Sequence, residues 1–143
     1  MGGSRPRIIQ YELSGGWKVL VGATDADNDR LSTTLAEPDD WWLHAESVPG
    51  SHVLLRAQPS EEADRDTLRR AAAIAAYHSK ARRAGTGRVY CTHARYVKKR
   101  RGANVGTVEV TKGTVFRVRP DISFATRVRA EGKTQPSNSR FSK

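Results

Sequence analysis

The sequence contains one cysteine, one methionine and no apolar run approaching the ~20 residues that span a bilayer. The lone thiol, Cys91, excludes an intramolecular disulfide and fits a reducing compartment. No charged-then-apolar segment opens the chain. Pro6 stands where a myristoylation motif needs Ser or Thr. Metal-site spacing is missing: seven residues separate His44 from His52, and Cys91 and His93 form no second pair. Asp25-x-Asp27-x-Asp29 fails as a calcium loop, because Arg30 replaces the obligatory glycine and Ala36 the closing glutamate. There is no P-loop and no dinucleotide fingerprint. These absences argue against a secreted, membrane-spanning, metal-bound or nucleotide-hydrolysing protein. The expectation is a cytoplasmic chain with no cofactor and no membrane partner.

Acidic residues are scarce in one stretch above all. Residues 79–119 carry 12 Lys or Arg against the single acid Glu109, whereas residues 1–78 are net −4 and the whole chain is +10. A protein needing charge only for solubility intersperses its signs. Concentrated cations imply a polyanionic partner. At the centre lie Lys98, Lys99, Arg100 and Arg101, followed by Gly102 and Gly106. Four consecutive cations cannot all fold inward, so they form a solvated tip suited to phosphates. Arg82, Arg83, Arg88, Arg95, Arg117 and Arg119 supply flanking charge.

The 143 residues suit one domain. Residues 7–13 and 17–23 flank a Ser-Gly-Gly turn and read as a hairpin. A short helix follows the acid-rich run, capped by Thr24 or an aspartate. Residues 41–45 and 52–56 read as two strands joined at Val48-Pro49-Gly50-Ser51, where Gly50 would take the positive φ of a type II turn. Acids at its start, cations at its end and Gly85 beyond predict one long helix over residues 61–84. Leu68, Ile74 and Tyr77 would supply most of its burial. Residues 88–92 read as a strand. Residues 107–111 and 114–119 alternate around Lys112-Gly113 as a hairpin. The expected fold is α+β: a mainly antiparallel sheet with one long and one short helix. Residues 1–6 are expected to be flexible, residues 7–120 to form the domain, and residues 121–143 to be a basic, disordered tail.

Trp41, Trp42 and Tyr96 could stack on unpaired bases. Strand alternation sends the two tryptophans to opposite faces, leaving one of them buried. Neither Ser51 beside His52 nor Asp39 beside Asp40 makes a catalytic pair, since adjacent strand residues also point apart.

Several segments resemble one known family. Gly22 through Ser32, with its Asp-Asn-Asp-Arg-Leu core, is similar to a glycine-then-helix segment of the NFACT RNA-binding domain. Asp40-Trp41-Trp42-Leu43-His44 and Pro49-Gly50-Ser51-His52-Val53 resemble its central signature. Tyr96-Val97-Lys98-Lys99 with Gly102 and Gly106 resembles its basic glycine loop. The likeness runs from about Trp17 to Pro120. It implies an α+β domain, here expected to stand alone, that binds RNA, most plainly tRNA or a tRNA–ribosome junction on the large subunit. It implies a place in ribosome-associated quality control and no catalysis by the domain itself. Asp40, Trp42, His44 and His52 would shape a specific surface beside the Pro49-Gly50 turn. An accessory role in tRNA modification and an RNA-processing enzyme remain open alternatives.

Overall fold

The computed structural model describes residues 7–128. Strands β1 (Ile8–Leu13) and β2 (Trp17–Gly22) open it as the expected hairpin, turning through Gly15 and Gly16 at positive φ. Helix α1 (Asp25–Arg30) starts on a capping box. Thr24 Oγ1 accepts from Asp27 N at 3.1 Å, and the Asp27 carboxylate accepts from Thr24 N at 3.0 Å. It runs into a π-helical turn, Leu31–Leu35, that seats Leu31 in the core.

Seven antiparallel strands form one sheet in the order β8-β5-β3-β4-β2-β1-β9. The remaining members are β3 (Trp41–Ala45), β4 (Val53–Leu55), β5 (Gly87–His93), β8 (Thr114–Val118) and β9 (Thr126–Val128). Helix α2 (Arg65–Tyr77) covers one face. Its run Ala71–Ala76 is buried throughout, and methyl-sized side chains let the helix lie close to the strands. Beneath it Val19, Val21, Leu43, Val53 and Leu55 are fully buried, each contributing about 1.5–3 kcal/mol relative to exposure. On the other face Leu20, Leu31, Trp42 and Leu54 form a second core under the π-turn and a separate two-stranded ladder, β6 (Val97–Lys98) with β7 (Glu109–Val110). The molecule is three layers deep.

Five expectations change. The long helix is only 13 residues: Asp64 caps its start by accepting from Thr67 N at 2.8 Å, while Glu61 bridges to Gln58. Its end is set by a tertiary contact, because Ser51 N donates to His78 O at 3.0 Å and Lys80 N to Pro49 O at 2.9 Å. Leu68 and Tyr77 are only half-buried, so the alanines and Ile74 carry the packing. The hairpin around Lys112-Gly113 is absent, since β7 pairs with β6 and β8 with β5. Positive φ between β3 and β4 falls on Ser47, not Gly50; a Cβ at Gly50 would lie 2.7 Å from Ser79 Cβ, so closeness rather than turn type requires glycine there. Finally, residues 121–128 are not tail: Asp121 N donates to Ala73 O at 3.2 Å, and β9 pairs with β1. The expectations for residues 1–6 and 129–143 lie outside the described residues.

Candidate nucleic-acid interface

Alternation along β3 points Trp41 toward α2 and Trp42 toward the second core. Trp42 is the buried one; Trp41 is half-buried and stacks on His93 with centroids 3.7 Å apart. The Trp42 indole donates to Ser32 Oγ at 2.8 Å, and Ser32 Oγ lies 2.7 Å from His52 Nδ1. An indole can only donate, so Ser32 Oγ accepts from Trp42 and shares a second hydrogen bond with His52 Nδ1. His44 lies parallel to Trp42, centroids 5.9 Å apart, and meets His52 edge-on at 5.5 Å. Burial, with His44 alongside, pushes the His52 imidazole down to about 4. Burial also lowers His44. Both rings are neutral at pH 7.

One segment binds this cluster to the basic loop. Asn28 Oδ1 accepts from His52 N at 2.9 Å, a contact that needs Gly22, since a Cβ there would lie 2.2 Å from that oxygen. One residue on, Asp29 Oδ1 accepts from Gly106 N and Lys99 Nζ, both at 3.0 Å. Burial pushes the Asp29 carboxyl up, but the Lys99 ammonium and Gly106 N–H outweigh it and leave it below its usual range. Gly106 itself sits at φ +85°, where a side chain would be strained.

The four loop cations therefore differ. Lys99 is folded in, bound to Asp29 and to Asn104 O. Arg100 pairs with Glu109 at 2.6 Å. Lys98 and Arg101 are exposed, with no carboxylate in salt-bridge range among the described residues. Arg88 pairs with Glu46 at 2.7 Å, and Arg95 with Asp39. Arg82 donates to Tyr77 O at 2.8 Å and covers the Tyr77 ring; Arg83 is exposed in the turn beyond α2. Arg117 lies exposed on the edge strand β8 and Arg119 exposed just beyond its end.

Asp40, Trp42 and His52 are buried and leave little surface exposed. The Asp40 carboxylate accepts from Arg56 Nη1 at 2.6 Å, Ala57 N at 2.8 Å and Glu37 N at 2.9 Å, locking the chain into β3. Of the four signature residues His44 is the most exposed. It lines a shallow groove of about 540 Å³ with Trp42, Tyr90, Val48, Pro49 and Val110. Val110 pairs with Val97, the residue before Lys98, so groove and cations share one layer. The residues with no assigned role in the sequence reading are Asn28, Asp29 and Ser32. Their neighbours in sequence gave no sign of partners on the far side of the fold.

Among the described residues no group of three His, Cys, Asp or Glu could hold a metal, and no helix is long and apolar enough to cross a membrane. Cys91 is buried with its thiol pushed up to about 12 by desolvation, which makes it a poor nucleophile.

The fold is thus a basic three-layered α+β domain whose cationic loop is pinned to a buried indole–imidazole cluster. The chain belongs to the family of NFACT protein RNA-binding domains, whose model matches residues 8–113. It is 44% identical over 117 residues to the Rqc2 homolog RqcH of Bacillus subtilis, covering 81% of this chain and 20% of that protein. The Rqc2 homolog RqcH of Streptococcus suis is 36% identical over 104 residues, covering 71% and 18%. The chain spans about a fifth of the length of these curated relatives. Among solved structures, the C-terminal part of the fibronectin/fibrinogen-binding protein from Streptococcus suis matches with a TM-score of 0.77 and 30% identity, over 83% of this chain and 47% of that one.

Proposed function

We propose that this domain binds structured RNA, tRNA or a tRNA–ribosome junction, and serves ribosome-associated quality control in the cytoplasm, with the large subunit as a further partner. The observation that carries the reading is Lys98 and Arg101, two exposed cations with no carboxylate in range among the described residues, on a loop whose base is anchored by Asp29. Arg100 adds to them at small cost, because an exposed pair such as Arg100–Glu109 is worth at most about 1 kcal/mol and exchanges readily for a phosphate. The groove beside His44 and Tyr90 gives the surface its shape, and a neutral imidazole edge there can hydrogen-bond a base or a 2′-hydroxyl. Membership of the family and the names of the relatives support the RNA and the pathway.

The domain binds and does not catalyse in this reading. His52 has its Nδ1 engaged by Ser32, and Ser51 is held elsewhere, by its backbone, at His78. Incubating the protein with tRNA, with and without a chelator, tests this directly. Saturable binding without cleavage or modification is expected; turnover would move the protein to the enzyme class.

A further inference from the structure

Resting on the RNA-binding reading, we propose a second RNA site in the cleft between α2 and β8, which takes a single-stranded segment by its phosphates and stacks a base on Phe124. The cleft measures about 590 Å³ and is lined by Arg69, Arg70, Arg117, Arg119 and Phe124. Arg69 and Arg70 stand on the exposed side of α2, opposite its buried alanines, and Arg117 and Arg119 flank buried Val118. Arg69 Nη2 donates to Arg117 O at 3.0 Å and so ties the helix to the edge strand.

The charge here is offset only in part. Among the described residues no carboxylate lies within salt-bridge range of these four arginines, whereas Arg88, Arg95, Lys99 and Arg100 each have one. Two acids line the cleft. The Asp121 carboxylate is taken by Ser123 N at 2.9 Å and Ser123 Oγ at 3.1 Å, and Asp66 lies in the first turn of α2, where the helix dipole favours it. Planar guanidinium groups match phosphate oxygens two at a time.

Phe124 decides the class of partner. It is 36% exposed, although Ile122 and Ala125 on the same turn pack against the core. That turn is fixed by Asp121 N to Ala73 O and by Ala125 N to Ile122 O at 3.0 Å. A cluster of arginines kept only for solubility needs no ring held beside it; a platform for a base does. Arg117, Arg119 and Phe124 also lie beyond residues 8–113, the span that the family model matches. The cleft opens on the α2 side of the sheet, and the Lys98–Arg101 loop springs from the ladder on the other. One RNA can therefore be held from both sides.

The test uses the full chain and fluorescence anisotropy with oligoadenylate, folded tRNA and an oligoglutamate peptide. Arg70→Gln with Arg119→Gln should flatten the salt dependence for oligoadenylate by about 1.4 in log–log slope. Phe124→Ala should weaken the same binding roughly five- to hundredfold, and Phe124→Tyr should restore it. Crosslinks from a 4-thiouridine oligomer should map to residues 119–124. If both cleft variants bind oligoadenylate like the parent while Lys98→Gln with Arg101→Gln binds weakly, the second site is wrong and the RNA reading stands. Loss of oligoglutamate binding without loss of RNA binding would make the cleft a protein-docking site and overturn the proposal. If the parent protein binds neither RNA, both readings fall.

Discussion

Asp29 and Lys99 are 70 residues apart in sequence and joined at 3.0 Å in the fold. The same carboxylate oxygen holds Gly106 N, so one side chain grips both arms of the basic loop. Lys99 is thus a positioning residue. Lys99→Gln is expected to raise amide hydrogen exchange across residues 102–106 while leaving the salt slope of RNA binding unchanged. Lys98→Gln and Arg101→Gln should each reduce that slope by about 0.7–0.9 without altering exchange. A slope change from Lys99→Gln equal to theirs would show that its ammonium faces phosphate instead.

Asp40 is expected to matter for stability and not for RNA. It is 2% exposed, and its loss strands the Glu37 and Ala57 amides together with the Arg56 guanidinium. Arg56 is part-exposed and can turn to solvent, so the cost comes mainly from the stranded amides, about 1–3 kcal/mol each. Asp40→Ala should lower the urea midpoint by an equivalent amount. The fraction that stays folded should bind tRNA like the parent.

The His52 ring makes stability depend on pH. Its pKa is about 4 in the fold and about 6.5 in the unfolded chain. Between those values the unfolded chain binds more protons, so stability is fully present above pH 6.5 and is lost as pH falls toward 4. At the low end the loss from His52 alone is about 3 kcal/mol. His78, also lowered to about 4 by burial and hydrogen-bonded through Nε2 to the Tyr11 hydroxyl at 2.8 Å, acts in the same direction. Urea unfolding at several pH values should show this slope, and His52→Gln should reduce it. An unchanged slope in that variant would mean that the ring is accessible to protons.

Trp42→Phe keeps an aromatic ring in the second core but removes part of the indole's volume and the donor to Ser32 Oγ, so packing loss adds to the hydrogen bond. A loss of about 1–2 kcal/mol is expected from the hydrogen bond. Thermal unfolding measures it, and Ser32→Ala in the Trp42→Phe background should cost less than in the parent, since only the bond to His52 remains to be lost.

Features settled within a few residues were legible in the sequence. The Thr24–Asp27 capping box, the Gly15-Gly16 turn and the opposed faces of Trp41 and Trp42 all follow from local chemistry. Where two local signals were equal, distant contacts decided. Residues 78–84 carry good helix composition, yet the chain leaves the helix there because Pro49 O and Ser51 N hydrogen-bond to it and Gly50 packs against Ser79. Lys112-Gly113 looks like a hairpin turn, but β8 lies beside β5, where Gly113 packs close to the Tyr90 ring. The loop's positive charge was legible and its division of labour was not, because the partner of Lys99 lies on α1. Arg69 and Arg70 were hidden in a half of the chain whose net charge is negative.

The most direct test of the account is the salt dependence of tRNA affinity for the parent protein and for Lys98→Gln with Arg101→Gln. The account expects weaker binding and a log–log slope lower by about 1.4–1.8, with the circular dichroism spectrum unchanged. An equal affinity and an equal slope in a folded variant would contradict it.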